Sequence, residues 1–293
     1  MNITSLEIDS QPDVWRTALD RTPEARRILA RPGERMLVIG CGTSAFIAES
    51  FALLREQAGF GETDAAYASE PRVWRPYDSV VAITRSGTTT EVADALRRVP
   101  AGVTTIVVTG VEDSPCAELA DEVLLLDFAD ELSVVQTRFP TTFHILARAA
   151  LGEDVSDLPA RLQETLDIED ALEDPGYDHI VYLGTGWTYG LAQEAALKVR
   201  EAAQAWAESY PLLDYRHGPL AVAHPGSLVW LLGITDDDLA RDIEVTGATV
   251  RQRAGEDPLI SLVRAQRYAV RAATARGLDP DNPRHLTRSI VLS

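Results

Sequence analysis

Short apolar runs that stop at glycine or hydroxyl residues alternate along this chain with stretches whose apolar positions recur every three to four residues. Met36-Leu37-Val38-Ile39 ends at Gly40, and helical spacing follows over 44–57. Further strand-like runs stand at 65–68, 80–83, 103–108 and 123–126, with helical stretches at 90–98 and 115–120. This alternation predicts a parallel, doubly wound α/β sheet. Ahead of it, 11–20 and 23–30 predict short helices, the second with Thr22 as its N-cap. The stretch 152–176 is acidic and polar, with helical periodicity in its middle, and predicts a helical linker. Then the pattern restarts. Ile180-Val181-Tyr182-Leu183 ends at Gly184, a helix runs to Ala203, strand-like runs follow at 206–210, 228–232 and 248–250, and a last helix spans 259–276.

The restart is an internal repeat. Val38-Ile39-Gly40-Cys41-Gly42 and then Ala48 match Tyr182-Leu183-Gly184-Thr185-Gly186 and then Ala192 at equal spacing. Two copies of one α/β unit are expected, the second reduced in strands. The divisions are N-terminal helices at 1–33, a first sheet domain at 34–152, a linker at 153–176 and a second domain at 177–293.

Hydrophobic content of 45% and charged content of 25% are those of a globular protein. No apolar run approaches the roughly 18 residues of a membrane span, and no signal peptide is expected at Met1-Asn2-Ile3-Thr4-Ser5, so the expected compartment is the cytoplasm. Cys41 and Cys116 have neither disulfide-framework nor zinc spacing, so no metal is expected. A net charge of −18 argues against nucleic acid or an anionic membrane as partner. It also demands that any phosphate site be locally positive, which a helix N-terminus supplies.

Three segments carry candidate chemistry. Gly40-Cys41-Gly42-Thr43-Ser44-Ala45 joins a strand to a helix as G-x-G-x-x-A. A dinucleotide fingerprint, with Glu62 or Asp64 on the ribose, and a purely conformational glycine turn both fit it. Thr84-Arg85-Ser86-Gly87-Thr88-Thr89-Thr90-Glu91 places five hydroxyls between a strand and a helix start. That is a phosphate cradle or a capping cluster, with Thr88 or Thr90 as N-cap; it is not a Walker A loop, since no lysine follows the glycine. In the third segment, Glu194, Lys198 and Glu201 share one helix face, and His217 follows in Tyr215-Arg216-His217-Gly218-Pro219. Lys198 is the only lysine among 27 lysine and arginine residues. An ammonium can do what a guanidinium cannot, namely give up its proton when buried or attack a carbonyl. A solvated ion-pair ladder is the plain alternative for this face.

With these residues in view, the chain resembles the double-SIS (sugar isomerase) family over nearly its whole length. It is similar to the isomerase half of glucosamine-6-phosphate synthase and more so to the tagatose-6-phosphate ketose/aldose isomerase and amino-sugar-phosphate deaminase branch. The resemblance rests on Glu7-Ile8-Asp9-Ser10-Gln11-Pro12, Cys41-Gly42-Thr43-Ser44, the loop 84–89, the segment 133–142, Leu191-Ala192-Gln193-Glu194-Ala195-Ala196-Leu197-Lys198, Arg216-His217-Gly218-Pro219 and the segment 277–284. It implies two flavodoxin-like SIS domains. It also implies that Thr84, Arg85, Ser86 and Thr89 hold a phosphate, and that Gly42, Thr43, Ser44 and Gln136 line the substrate. Glu201 falls on the general base and Lys198 on the family's active-site lysine. His217 falls on a ring-opening histidine that enters from a partner subunit, so a homodimer with shared sites is expected. No cofactor is implied. Arg288, placed with the substrate-binding residues, stands where the synthase has its Schiff-base lysine, and no glutaminase half is expected. Both features argue against a glutamine-dependent synthase. The expected activity is aldose–ketose isomerisation or deamination of a sugar phosphate, such as a hexosamine 6-phosphate, through an enediol or enediolamine. A sugar-phosphate sensor without turnover is the alternative, and a dinucleotide enzyme the third.

Overall fold

In the computed structural model, residues 2–71, 75–168 and 175–292 are described. Helices α1 (Ile3–Asp9), α2 (Gln11–Asp20) and α3 (Thr22–Leu29) precede the first sheet. That sheet holds β1 (Met36–Gly40), β2 (Thr63–Tyr67), β3 (Ser79–Ile83), β4 (Thr104–Thr109) and β5 (Glu122–Leu125), all parallel in the order β2-β1-β3-β4-β5. Helix α4 (Thr43–Gln57) links β1 to β2, and α5 (Thr90–Arg97) links β3 to β4. After α6 (Arg138–Ala150) and α7 (Leu158–Asp167), a second parallel sheet has the order β7-β6-β8-β9. Its strands are β6 (His179–Gly184), β7 (Trp206–Pro211), β8 (Ser227–Leu231) and β9 (Thr249–Arg251). Helix α8 (Thr188–Ala203) follows β6, α9 (Asp237–Glu244) follows β8, and α10 (Pro258–Ala275) closes the fold.

Strand alternation builds three cores. Met36 and Val38, Val81 and Ile83, Ile106 and Val108 face inward to a core that also takes Ile180, Tyr182, Leu228 and Trp230 from the second sheet. Their alternates Leu37, Ile39, Val80, Ala82 and Val107 face an outer core under α5. Val181, Leu183, Val229 and Leu231 face another under α9. Both faces of each sheet are therefore covered, which is why the strands read as continuous apolar runs. The shared middle layer contains α4, α6, α8 and α10. There α4 and α8 cross closely, because Gly190 has no side chain: a Cβ would come within 2.4 Å of the Phe46 carbonyl oxygen.

The internal repeat has a conformational cause. Gly42 and Gly186 both sit at φ +53°, in the turn that carries β1 into α4 and β6 into α8. Side chains rarely adopt that conformation, so both copies keep glycine there.

Several expectations need correction. Thr22 is the first residue of α3 rather than its cap: its hydroxyl donates to the Leu19 carbonyl and Arg21 holds the cap position. The stretch 115–120 makes only a single 3-10 turn, Ala117–Leu119. Bonds from Cys116 N to Gly87 O and from Asp121 N to Thr105 O tie the chain to the loop after β3 on one side of it and to β4 on the other. Neither Thr88 nor Thr90 caps α5; Thr89 holds the N-cap position and makes no side-chain cap bond. Helices α1, α6 and α9 are additions to the pattern. The described part of the segment at 153–176 carries α7, whose Leu158 and Leu162 enter the shared core, while 169–174 lie outside the described residues.

Candidate active site

In the first sheet β1 and β3 are neighbours, and their chains leave toward opposite faces: α4 lies in the shared core and α5 on the outer one. Such a switch point leaves a crevice at the carboxyl ends of the strands, and both candidate loops open there. The nucleotide acids are engaged elsewhere. Glu62 pairs with Arg35 at 2.7 Å, and Asp64 accepts from Arg75 at 2.7 Å and from the Tyr77 hydroxyl at 2.6 Å.

Lys198 is the centre of a buried cluster. Helix α8 runs across the first turn of α4 and brings the Lys198 Nζ to 3.1 Å from Thr43 Oγ1. The same ammonium donates to Glu201 Oε2 at 2.5 Å and stands 3.3 Å from Glu194 Oε1. Lys198 and Glu194 are buried, while the Glu201 side chain keeps 20% of its exposure. The plain alternative of a solvated ion-pair ladder therefore fails. Burial alone would lower the Lys198 pKa, but the carboxylates of Glu194 and Glu201 reverse the effect and the net shift is upward. Lys198 is held as an ammonium, not as a free amine. Burial pushes Glu194 up to about 7; Lys198 pulls against that shift and Glu201 adds to it. Glu201 opens on a cleft of about 430 Å³ shared with Leu197, Arg200, Gln204, Arg284 and His285.

The hydroxyl loop is arranged differently from the sequence expectation in one respect. Arg85 points into the protein: it is 1% exposed and donates to the Ser133 carbonyl at 2.7 Å and the Arg288 carbonyl at 2.8 Å. Its charge lies behind the loop and braces it. Thr84 Oγ1 and Gln136 Oε1 are buried atoms without a hydrogen-bond partner among the described residues. Ser86 Oγ lies 3.1 Å from Thr88 Oγ1, and both hydroxyls meet Ser289 of the C-terminal strap, at 3.2 and 2.7 Å. The strap continues: Thr90 N donates to the Ile290 carbonyl and Leu292 N to Thr90 Oγ1. Arg288 fastens it, with its guanidinium at 2.6 Å from both oxygens of Asp130 and 3.0 Å from the Glu131 carbonyl. Arg288 is thus turned toward a carboxylate rather than free toward the crevice.

His217 does not join the cluster within the chain. It ends a 3-10 turn, Leu213–His217, is exposed, and its imidazole bonds to no described residue. The fold therefore brings together Gly42, Thr43, Lys198 and Glu201, sets Thr84, Ser86 and Thr89 on the neighbouring loop, and leaves His217 apart. The burial of Glu194 and the contact of Ser289 were missed. The i, i+4, i+7 spacing pointed to Glu194; nothing in the pattern pointed to Ser289. Among the described residues no group of three or more His, Cys, Asp or Glu stands in metal-binding geometry, and no helix is long and apolar enough to cross a membrane.

Comparison with known proteins follows the same lines. Residues 28–147 match the SIS domain. The glutamine–fructose-6-phosphate aminotransferase (isomerizing) of Symbiobacterium thermophilum is 28% identical over 88% of this chain and 52% of its own length. That of Gloeobacter violaceus is 28% identical over 98% and 58%. The chain spans about half the length of the curated relatives it matches. A solved glucosamine-6-phosphate deaminase from Thermotoga maritima superposes with a TM-score of 0.84 at 27% identity, covering 99% of this chain and 100% of that one. A tagatose-6-phosphate ketose/aldose isomerase from Escherichia coli superposes at 0.78 with 20% identity, over 96% and 95%, a likeness of fold alone. Two parallel sheets wound about a shared helical layer, the matched segment 28–147 and these relatives agree on one conclusion: residues 28–147 are a SIS domain, and the whole chain shares the fold of the Thermotoga deaminase.

Proposed function

We propose that this protein is an aldose–ketose isomerase or deaminase of a sugar phosphate, with hexosamine 6-phosphates as the substrate class. The observation that carries the proposal is the Lys198 ammonium, buried between Glu201 and Thr43 beside the switch-point loops. Isomerisation moves a proton between adjacent carbons of an open-chain sugar. Glu201, on the open side of the cluster, takes it from one carbon and returns it to the next, and Lys198 stabilises the enediolate oxygen formed between the two steps. Because Lys198 is an ammonium and Arg288 cannot deprotonate, the site offers no neutral amine for a Schiff base. Thr84, Ser86 and Thr89 with the α5 N-terminus take the phosphate, braced from behind by Arg85; Gly42, Thr43, Ser44 and Gln136 face the sugar. The exposed His217 acts on the site of a second copy, which makes the working unit a homodimer. In this reading the second sheet is a reduced copy of the first. The activities for which the Thermotoga deaminase and the isomerizing aminotransferases are named support the substrate class.

The strap favours a second reading, a sugar-phosphate sensor, because Ser289 and Ile290 engage the loop hydroxyls and the Thr90 N–H. One experiment separates the two. Hexose and hexosamine 6-phosphates are screened by thermal shift, and each binder is assayed for isomer formation and ammonia release. Turnover supports the enzyme, binding alone supports the sensor, and no binding refutes both.

A further inference from the structure

Glu194 is 0% exposed, and neither of its carboxylate oxygens has a hydrogen bond of good geometry. A carboxylate in such a place is retained only against a fixed positive charge, since burial disfavours its ionised form by several kcal/mol. Among the described residues its ion-pair partner is the Lys198 ammonium, 3.3 Å away, with Arg200 acting on it only through space. That ammonium hydrogen-bonds instead to Glu201 at 2.5 Å and Thr43 at 3.1 Å. Two carboxylates one helical turn to either side of one ammonium thus compete for it, one sealed in the core and one open to the cleft.

We propose that Glu194 is a positioning residue of this site, the standby counter-ion that receives the Lys198 ammonium whenever Glu201 takes up a proton. The proposal rests on the proton-transfer reading of Glu201 given above. In the resting cluster Lys198 pairs with Glu201 at 2.5 Å. When the carbon-bound proton passes to the Glu201 carboxylate, that group becomes neutral and its hold on the ammonium is lost. An ionised Glu194 then supplies the opposite charge, so the cluster moves from net −1 to neutral without leaving a buried cation unpaired. Ionised Glu194 therefore keeps the ammonium paired after the transfer, and protonated Glu194 leaves the ammonium wholly to Glu201. The groups facing this exchange are Lys198, Glu201 and Arg200 on α8, the Thr43 hydroxyl from α4, and Glu131 from the turn before α6; Arg200 acts on both carboxylates and Glu131 on Lys198 through space. With Glu194 raised to about 7 by burial, the switch falls in the neutral range.

The test combines kinetics with a measurement that needs no substrate. In Glu194→Gln, kcat on a sugar phosphate is expected to fall roughly tenfold or more with KM nearly unchanged, and the acid limb of the kcat profile near pH 7 to disappear; Glu194→Asp restores the limb. Infrared difference spectra of protein carrying ¹³C-glutamate should show one buried carboxyl titrating near neutrality. That band should vanish in Glu194→Gln, persist in Glu201→Gln, and move to higher pH in Lys198→Met. Unchanged kcat and acid limb in Glu194→Gln, or a Glu194 band indifferent to Lys198→Met, overturns the proposal. A wild-type protein that turns over no sugar phosphate refutes the proposed reaction instead, and the infrared titration still decides whether Glu194 and Lys198 are coupled.

Discussion

Replacing Lys198 by Met removes the single positive charge from between two carboxylates while keeping most of the side-chain volume. The size of the effect follows from the geometry. Unit charges at the 3.3 Å separating Nζ from Glu194 Oε1 interact by about 5 kcal/mol at an effective dielectric of about 20. Measured losses on breaking buried pairs are about 3–5 kcal/mol. Burial raises Glu194 to about 7 from the ordinary glutamate value of 4.5. As pH climbs between those values the unfolded chain ionises first, so this group lowers wild-type stability with rising pH and is fully ionised in the fold only above 7. Without the ammonium, which pulls the Glu194 pKa down, the fall continues beyond 7 at up to about 1.4 kcal/mol per pH unit. The cost of Lys198→Met is therefore pH-dependent. At pH 6 Glu194 is already protonated in the wild type and only the pair with Glu201, one-fifth exposed, is lost, at about 1–2 kcal/mol. At pH 8, one unit beyond 7, the cost is larger by up to about 1.4 kcal/mol and reaches about 2.4–3.4 kcal/mol. Urea unfolding followed by far-UV circular dichroism at pH 6, 7 and 8 measures it, and Lys198→Met/Glu194→Gln should recover much of the pH 8 loss. A loss below about 1 kcal/mol at pH 8, or an equal loss at both ends of the range, would mean that the ammonium is solvated and that the cluster does not exist as described.

Lys198→Arg should fold with a near-normal melting temperature yet lose turnover about a hundredfold, because a planar guanidinium cannot meet Thr43, Glu194 and Glu201 from one point; full activity would refute the special role of the ammonium. Ser86→Ala/Thr89→Ala should weaken sugar-phosphate binding at least about tenfold in calorimetry, whereas unchanged affinity would leave the loop with no ligand role. Mixing Glu201→Gln with His217→Ala protein should restore activity that neither has alone, provided subunits exchange; a mixture that exchanges and stays inactive places His217 in its own chain's site. Asp130→Asn should loosen the strap, read as faster hydrogen exchange at Thr90 and faster C-terminal proteolysis with the rest of the fold unchanged; equal protection would show that Arg288 does not hold it.

What the sequence discloses about this fold is decided by how each element is buried. Central strands covered on both faces appear as continuous apolar runs, and Met36–Gly40, Ser79–Ile83 and His179–Gly184 were legible within a residue or two. Helix α6 was not, for the same reason applied to a helix: from Phe139 to Ala150 every residue is buried, so no polar face marks its period. The 115–120 stretch failed in the opposite sense, since hydrogen bonds from Cys116 to the loop after β3 and from Asp121 to β4 override a weak local preference.

The site divides along the same physical line. Side chains on regular elements have directions fixed by their spacing, so the shared face of Glu194, Lys198 and Glu201 on α8 could be derived before the structure was known. Its burial could not, because that depends on α4 crossing at Gly190, a tertiary contact between the two copies. Side chains on loops carry no such rule. Arg85 looked like a phosphate ligand by type and position, yet the turn aims it at the carbonyls of Ser133 and Arg288, 48 and 203 residues away in sequence. That inversion alters the electrostatics of the candidate phosphate site. Its attraction for an anion comes from hydroxyls, backbone N–H groups and the α5 dipole, with the guanidinium set behind them. In a chain of net charge −18, an anion site built mainly from dipoles holds its ligand through short-range geometry. Its affinity should therefore depend less on ionic strength than that of a site lined by free arginines.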